Sequence, residues 1–386
     1  MKAIRNILFL YIFLFSSSVF SQQIPAADSI NTISLLFAGD IMGHMPQIYA
    51  AYDSATKDYN FDETFRYIKP LFADYNFIIA NLETTLAGEP YSGYPQFSSP
   101  DALALSCKDA GITCLATANN HCCDRGKKGL KRTIATLDSL GILHLGTYSD
   151  SSERNLKSPL ILQKNNIRIA LFNYTFSTNG IPVPEPFIVN FIDTALIALD
   201  FAKALSMNAD KIIIFVHWGN EYQSFPDYYQ KSIAAFCFSK GADIIIGSHP
   251  HVIQPVIWVK DSIKDRDKVV VYSLGNYVSN QRKSRTDGGM MAGLILQKIK
   301  GKTSVKQLGH YLTWVYTPVE KNRKKYYILP CSIAENDSAF FKIANQYDSM
   351  KTYTNNARKF LDTNNVNESE YLFIRDHWEQ HIEKKD

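Results

Sequence analysis

Ile244-Ile245-Ile246-Gly247-Ser248-His249-Pro250-His251 joins an apolar run to two histidines set two residues apart. A short apolar run of this kind reads as a buried strand. In extended backbone, side chains at i and i+2 point the same way. Pro250 steers His249 toward β or polyproline geometry, so both imidazoles are expected to face one pocket, as metal ligands do. The same residues also suit a surface turn that holds nothing. Taken alone, the stretch leaves both readings open.

Outward from it, similar runs recur at Ile33–Ala38, Phe77–Ala80, Ile112–Ala116, Ile167–Phe172, Ile212–Val216 and Val269–Leu274. Helical patterns lie between them at Asp62–Ala73, Asp101–Asp109, Lys127–Leu140, Thr194–Leu205 and Tyr228–Lys240. Gly111, Gly141 and Gly241 stand just past three of these, where a helix C-cap favours glycine. Strand and helix in alternation predict an α/β sheet with helices on its faces.

Polar residues cluster directly after the strands. Asp40 follows the first, Asn81 and Glu83 the second, and Asn119, Asn120 and His121 the third. His217, His249 with His251, and Asn276 follow the later ones. Ligands of open α/β sheets bind outside the carboxyl ends of strands, so these ends are expected to share a site. Carboxylate, amide oxygen and imidazole suit Mn, Fe or Zn and disfavour soft Cu(I). The set is larger than one tetrahedral ion needs. Two divalent ions bridged by a carboxylate would use it all, and such pairs activate water for displacement at phosphorus.

The ordered motifs resemble a known family. Gly39-Asp40, Asn81-Leu82-Glu83, Asn119-Asn120-His121, His217-Trp218-Gly219-Asn220-Glu221 and Gly247-Ser248-His249-Pro250-His251 are similar to the metallophosphatase, or calcineurin-like phosphoesterase, superfamily. Within it they resemble the CapA group, linked to capsule and poly-γ-glutamate synthesis. Ser273-Leu274-Gly275-Asn276-Tyr277 is similar to that group's late motif. The resemblance runs from about Ile33 to Pro330 and implies a four-layer α/β/β/α sandwich. It implies that Asp40 and His251 bind a first metal, Glu83 bridges, and Asn120, His217 and His249 bind a second. It also implies that His121 stabilises the leaving group and that no covalent enzyme intermediate forms. The chain departs from the pattern twice. Met42 stands where the superfamily has histidine, leaving His44 either as a substitute ligand or as a loop residue at the rim. Glu83 replaces the usual aspartate.

Other residues have two readings each. Glu221 either orients His217 from behind or lies on a solvated rim. Asp124, with Arg125, either positions His121 or forms a structural pair. Asn119 or Asn120 also suits a helix N-cap. Trp218 and Tyr222 line a pocket or simply pack. Arg282, Lys283 and Arg285 attract an anion or form a solvated loop.

The 386 residues are 46% hydrophobic, enough for a sizeable core. A formal charge of +4 carries no basic block, which argues against a nucleic-acid partner. The expected partners are an anionic small molecule or acidic polymer, and membrane-bound polymer synthase components. Lys2 and Arg5 precede the apolar Ile7–Phe15, so residues 1–21 read as a signal peptide for export to the periplasm or cell surface. An uncleaved anchor is the alternative. Export permits disulfides, and the six cysteines leave room for one or two. The CapA-like domain is expected over 32–330, followed by a helical extension over 331–386. Within that extension Ala339–Leu361 and Glu368–Glu383 are the predicted helices. His377 and His381 would then share a solvated helical face.

Overall fold

Period-two alternation sorts the first strand, Asn31–Ile41, onto two faces. Ile33, Leu35 and Phe37 enter one buried cluster with Ile169, Leu171, Ile213, Phe215, Ile244 and Ile246. Leu36 and Ala38 face the other way, onto Phe65, Leu71, Leu103 and Leu137. Fully burying such a side chain is worth roughly 1.5–3 kcal/mol. A one-residue slip would swap the two sets, so register is strongly specified. The computed structural model describes residues 30–261, 266–320 and 322–381, and the predicted signal peptide lies outside them.

Two sheets result. In the first, Asn31–Ile41 lies between Gly288–Ile299, antiparallel to it, and Phe77–Leu82, parallel to it. Cys114–Ala116 and Leu143–Leu145 continue the parallel side. In the second, Ile167–Thr175, Lys211–His217, Ile244–Ser248 and Arg266–Val271 run parallel. Antiparallel strands Leu160–Lys164 and Val256–Asp261 close its edges. The outer face of the second sheet packs Phe172, Ile212, Ile214 and Ile245 against Ile197, Phe201, Ala234 and Cys237 of two helices, Thr194–Ser206 and Tyr228–Lys240. The layers are therefore α/β/β/α, with the largest core between the sheets.

Gly111, Gly141 and Gly241 cap their helices in left-handed backbone, φ 115°, 65° and 116°. The helix expected over Asp62–Ala73 is instead two short ones, Asp62–Phe65 and Lys69–Phe72. Pro70 lies in the first turn of the second, where its missing N–H costs nothing. The long hairpin of Gly288–Ile299 and Lys302–Tyr316 was not foreseen.

The extension over 331–386 is only half helical. Ala344–Asn364 is a helix, close to expectation. The second predicted helix is instead a hairpin of Ser369–Ile374 and His377–Gln380. Its turn residues Arg375 and Asp376 have φ 49° and 66°, as a primed two-residue turn requires. Tyr371 stacks on Tyr311 with ring centroids 4.6 Å apart, and Ser369–Ile374 joins the first sheet beside Lys302–Tyr316. His377 and His381 thus share no helical face, and His377 pairs with Glu379. The helix docks through buried Tyr353, whose hydroxyl donates to the Gly289 carbonyl at 2.9 Å. All six cysteines are free and buried, so neither of the disulfides left open forms.

Candidate metal centre

The carboxyl ends of the two sheets meet, and the site is built there. Gly39 lets this happen. A Cβ on it would come within 2.0 Å of the Gly275 carbonyl oxygen, so only glycine admits the crossing. The register shifts between Ala38 and Asp40, a bulge that re-aims Asp40 at the strand end. Asp40 pairs in register with both Asn81 and Asn276. The second sheet brings His217 at the end of its strand, and His249 and His251 just past theirs.

Those two histidines are not extended. His249 has φ 100° and His251 φ 58°, backbone that side-chain-bearing residues rarely adopt. The expectation from Pro250 fails because tertiary contacts override it. The His249 N–H donates toward Asp40 Oδ2 at 3.4 Å, the His251 Nδ1 contacts Asn276 Oδ1 at 3.1 Å, and the Tyr222 N–H takes the Pro250 carbonyl at 2.8 Å. Such strain persists where surrounding structure over-determines it, commonly at functional sites. The imidazoles still converge, with ring centroids 6.0 Å apart.

Two groups of ligand atoms form, each within 4.8 Å, and Glu83 belongs to both. One is Glu83, His217 and His249; the other is Asp40, Glu83 and His251. In the first, His217 Nε2 lies 3.1 Å from His249 Nδ1, 2.9 Å from Asn120 Oδ1 and 3.8 Å from Glu83 Oε1. In the second, His251 Nδ1 lies 3.3 Å from Asp40 Oδ2, and its Nε2 lies 3.9 Å from Glu83 Oε1. Ligands at roughly 2.1 Å from one ion sit about 3–3.5 Å from each other, so most of these spacings suit coordination.

The electrostatics favour a cation. All of these residues are buried, and Glu83 Oε1 has no hydrogen-bond partner. Among the described residues, neither Asp40 nor Glu83 pairs with lysine or arginine. Burial, then the neighbouring Asp40, pushes the Glu83 carboxyl well above the usual range. Burial, then the His251 and His121 charges, holds His249 down to about 3. Burial, then His249, holds His217 far below its ordinary value. Burial thus favours the neutral form of His217 and His249, the form that ligates. A buried acid pair with an orphaned oxygen, facing three imidazoles, fits divalent metal.

The remaining candidates act around this set. Asn81 donates to Asp40 Oδ1 at 2.8 Å and orients it. Asn119 donates to the Leu82 carbonyl at 2.7 Å and accepts the His121 N–H at 3.1 Å, so it shapes the turn rather than capping a helix. The following helix begins only at Gly126. Asp124 Oδ2 holds His121 Nδ1 at 2.7 Å and accepts the Phe97 N–H at 2.7 Å. Asp124 is thus a positioning residue for His121. Glu221 is exposed at the rim beside Tyr222. His44 joins neither group. It precedes the helix Met45–Ala51, its Nδ1 lies 3.2 Å from Gln47 Oε1, and burial holds it down to about 4. Met42 is buried, with its N–H on the Val278 carbonyl.

Three neighbours were missed. Ser248 Oγ lies 3.0 Å from His217 Nδ1 and orients the ring. Asn179 accepts from Asn120 Nδ2 at 3.3 Å, and the Phe176 ring lies 4.6 Å from that of His249. Asn179 and Phe176 follow Ile167–Thr175, a strand end that the polar-residue pattern passed over.

The chain is similar to several known proteins. The chain is 28% identical over 267 residues to "Capsule biosynthesis protein CapA" of Bacillus anthracis, covering 66% of this chain and 61% of that protein. It thus spans about three fifths of that relative's length. It is 28% identical over 289 residues to "PGA biosynthesis protein CapA" of Bacillus subtilis, covering 70% and 69%. Among solved structures, the Haemophilus influenzae NAD nucleotidase superposes with a TM-score of 0.48 at 12% identity, covering 89% of this chain and 65% of that one. The calcineurin-like phosphoesterase YfkN of Bacillus subtilis gives 0.45 at 15%, covering 84% and 100%. The profile of the family described as "Bacterial capsule synthesis protein PGA_cap" matches residues 34–281, the span that supplies every ligand atom above, and the chain belongs to that family.

Proposed function

We propose that this protein is an exported, metal-dependent hydrolase of acidic surface-polymer synthesis acting on an anionic substrate such as a phosphoester, in which Asp40, Glu83, Asn120, His217, His249 and His251 would hold two divalent cations. One observation carries the reading: two buried ligand groups share Glu83, whose Oε1 has no other partner. Mn, Fe or Zn suits such a donor set. When bound, a pair of divalent cations activates water and neutralises charge on the reacting oxygens.

The chain's own residues do the rest. Asp40 and His251 hold one side, with Asn81 fixing the Asp40 carboxylate. His217, His249 and the Asn120 amide oxygen hold the other, with Ser248 fixing the His217 ring. His121 has its Nδ1 on Asp124 and its ring edge-on to Phe97 at 4.7 Å. That makes Nε2 the ring nitrogen through which His121 would stabilise the leaving group. The low-dielectric surroundings strengthen each of these contacts.

The test is metal content and phosphoester turnover with added Mn²⁺, wild type against His121→Ala. Two ions per chain, with turnover lost in the variant, support the reading. A protein free of Mn, Fe and Zn after metal-replete expression refutes it.

A second reading has its own observation. Met42 occupies the place of a superfamily histidine, and His44 is engaged with Gln47 instead of the centre. The protein would then keep the fold as a polymer assembly or anchoring factor beside membrane-bound synthase components. Absence of turnover in wild type and variant alike, with metal bound, supports that reading.

A further inference from the structure

A cavity of about 870 Å³ lies in the C-terminal part of the fold. It shares no lining residue with the cleft that Tyr222 borders near His251, so it is separate from the metal centre. His310 of the strand Lys302–Tyr316 lines it, with Arg358 and Asp362 near the end of the helix Ala344–Asn364 and Phe373 of the strand Ser369–Ile374. Trp258, from the edge of the second sheet, completes the wall. Its N–H donates to the Val366 carbonyl at 3.0 Å, and Asn367 donates to its carbonyl at 2.9 Å. The family match ends at residue 281, so all of this wall but Trp258 lies beyond it.

One atom in this wall lacks a partner. His310 is buried, its Nδ1 lies 2.7 Å from Glu368 Oε1, and its Nε2 has no hydrogen bond. Asn365 holds Glu368 in turn, donating to Oε2 at 2.5 Å. The ring is therefore fixed with one nitrogen unsatisfied, which costs free energy until a partner reaches it. The charges in the wall, by contrast, are already matched. Arg358 forks onto Glu335 and Glu370 through four contacts of 2.7 to 3.0 Å. No lysine and no other arginine lines the cavity among the described residues, whereas Asp362 and Glu368 add carboxylates. An anion therefore gains nothing here. The amides of Asn336, Asn367 and Gln380 each give an N–H to a backbone carbonyl, which fixes them in place. Among the described residues, no hydrogen bond takes their amide oxygens.

We propose that this cavity binds a short uncharged saccharide, with a sugar hydroxyl on His310 Nε2, further hydroxyls on Asp362 and the three amides, and the apolar face of a ring on Trp258 and Phe373. A hydroxyl suits His310 Nε2 in either tautomer, because it can donate or accept. Fixed amides offer the same choice of donor and acceptor to neighbouring hydroxyls. Aromatic walls with a few placed polar groups, in roughly 300–1,000 Å³, are the common form of a small-ligand site. The site is independent of the hydrolytic reading of the metal centre, since the two have no residue in common.

The test is calorimetric titration of the full chain with chitotriose and with cellotriose, with spermidine and decaglutamate as charged controls. At least one of the two saccharides should bind once per chain, with an affinity that changes less than about twofold between about 0.05 and 0.5 M NaCl. Binding should change the tryptophan fluorescence, and Trp258→Phe should remove that change. Asp362→Ala, which deletes a charged acceptor at an exposed helix position, and Phe373→Ala should each weaken binding about tenfold or more. His310→Phe should weaken it further, and His310→Gln should recover part of the loss. Glu83→Gln should leave saccharide binding within about twofold, because metal plays no part in it. No binding of either saccharide, or unchanged binding in both Asp362→Ala and Phe373→Ala, overturns the proposal. So does tighter binding of spermidine or decaglutamate, and so does loss of binding in Glu83→Gln, which would move the saccharide to the metal centre.

Discussion

The two sides of Glu83 differ in how completely they are built. On the histidine side, His217 Nε2 has His249 Nδ1 and Asn120 Oδ1 within 3.1 Å, and Ser248 and Asn179 hold the rings and amide from behind. On the acid side, Asp40 and His251 are well oriented, but Met42 is an apolar neighbour and His44 is turned to Gln47. The lesson is that Glu83 stands between a full set of candidate ligands and a thin one. Two ions bound here should therefore differ in affinity, with the histidine side tighter.

Glu83→Ala should give the largest effect, because it removes the atom common to both sides. Activity should fall at least about 100-fold and bound metal should approach zero, read by turnover and elemental analysis. Retention of one tight ion would show that the sides are independent. Next in size is the contrast between His217→Ala and His251→Ala. The first should lose the tight ion, with affinity down roughly 100-fold; the second should keep about one ion per chain. Equal losses would erase the asymmetry.

Asp124→Asn should lower kcat by about 10–100-fold with metal content unchanged, since it releases His121 and touches neither ligand group. A parallel loss of metal would place His121 among the ligands instead. The smallest effect is expected from Met42→His, which offers the acid side another imidazole. Metal affinity there should rise several-fold, measured by titration against a chelator; no change would mean that Met42 is not the gap.

Much of this site was legible before any coordinates. Asp40, Glu83, Asn120, His217, His249 and His251 each stand at a strand end, and strand ends follow from apolar runs that propensity and pattern mark well. Phe176 and Asn179 are hidden because the apolar run suggests a strand ending at Phe172, whereas the strand continues to Thr175. The hairpin Gly288–Ile299 and Lys302–Tyr316 is hidden in the sequence because Gly288, Gly289, Gly293 and Gly309, with Gln297, Lys306 and Gln307, break its apolar runs. The C-terminal hairpin was read as helix because Glu368 onward is polar; yet Tyr371, Phe373 and Trp378 pack across strands, with Phe373 and Trp378 at 5.2 Å.

By itself, the sequence determined the α/β class, the parallel strands, three glycine caps and the polar strand ends. These depend on local periodicity and short-range backbone preference, which a chain carries without its fold. Tertiary structure alone decided how the sheets face each other, the left-handed backbone of His249 and His251, and the free state of the six cysteines. It also decided that the C-terminal helix stands across a cleft from Arg282, Ser284 and Arg285. Each joins residues far apart in the chain, and long-range packing there outweighs the local preference of Pro250 for extended geometry.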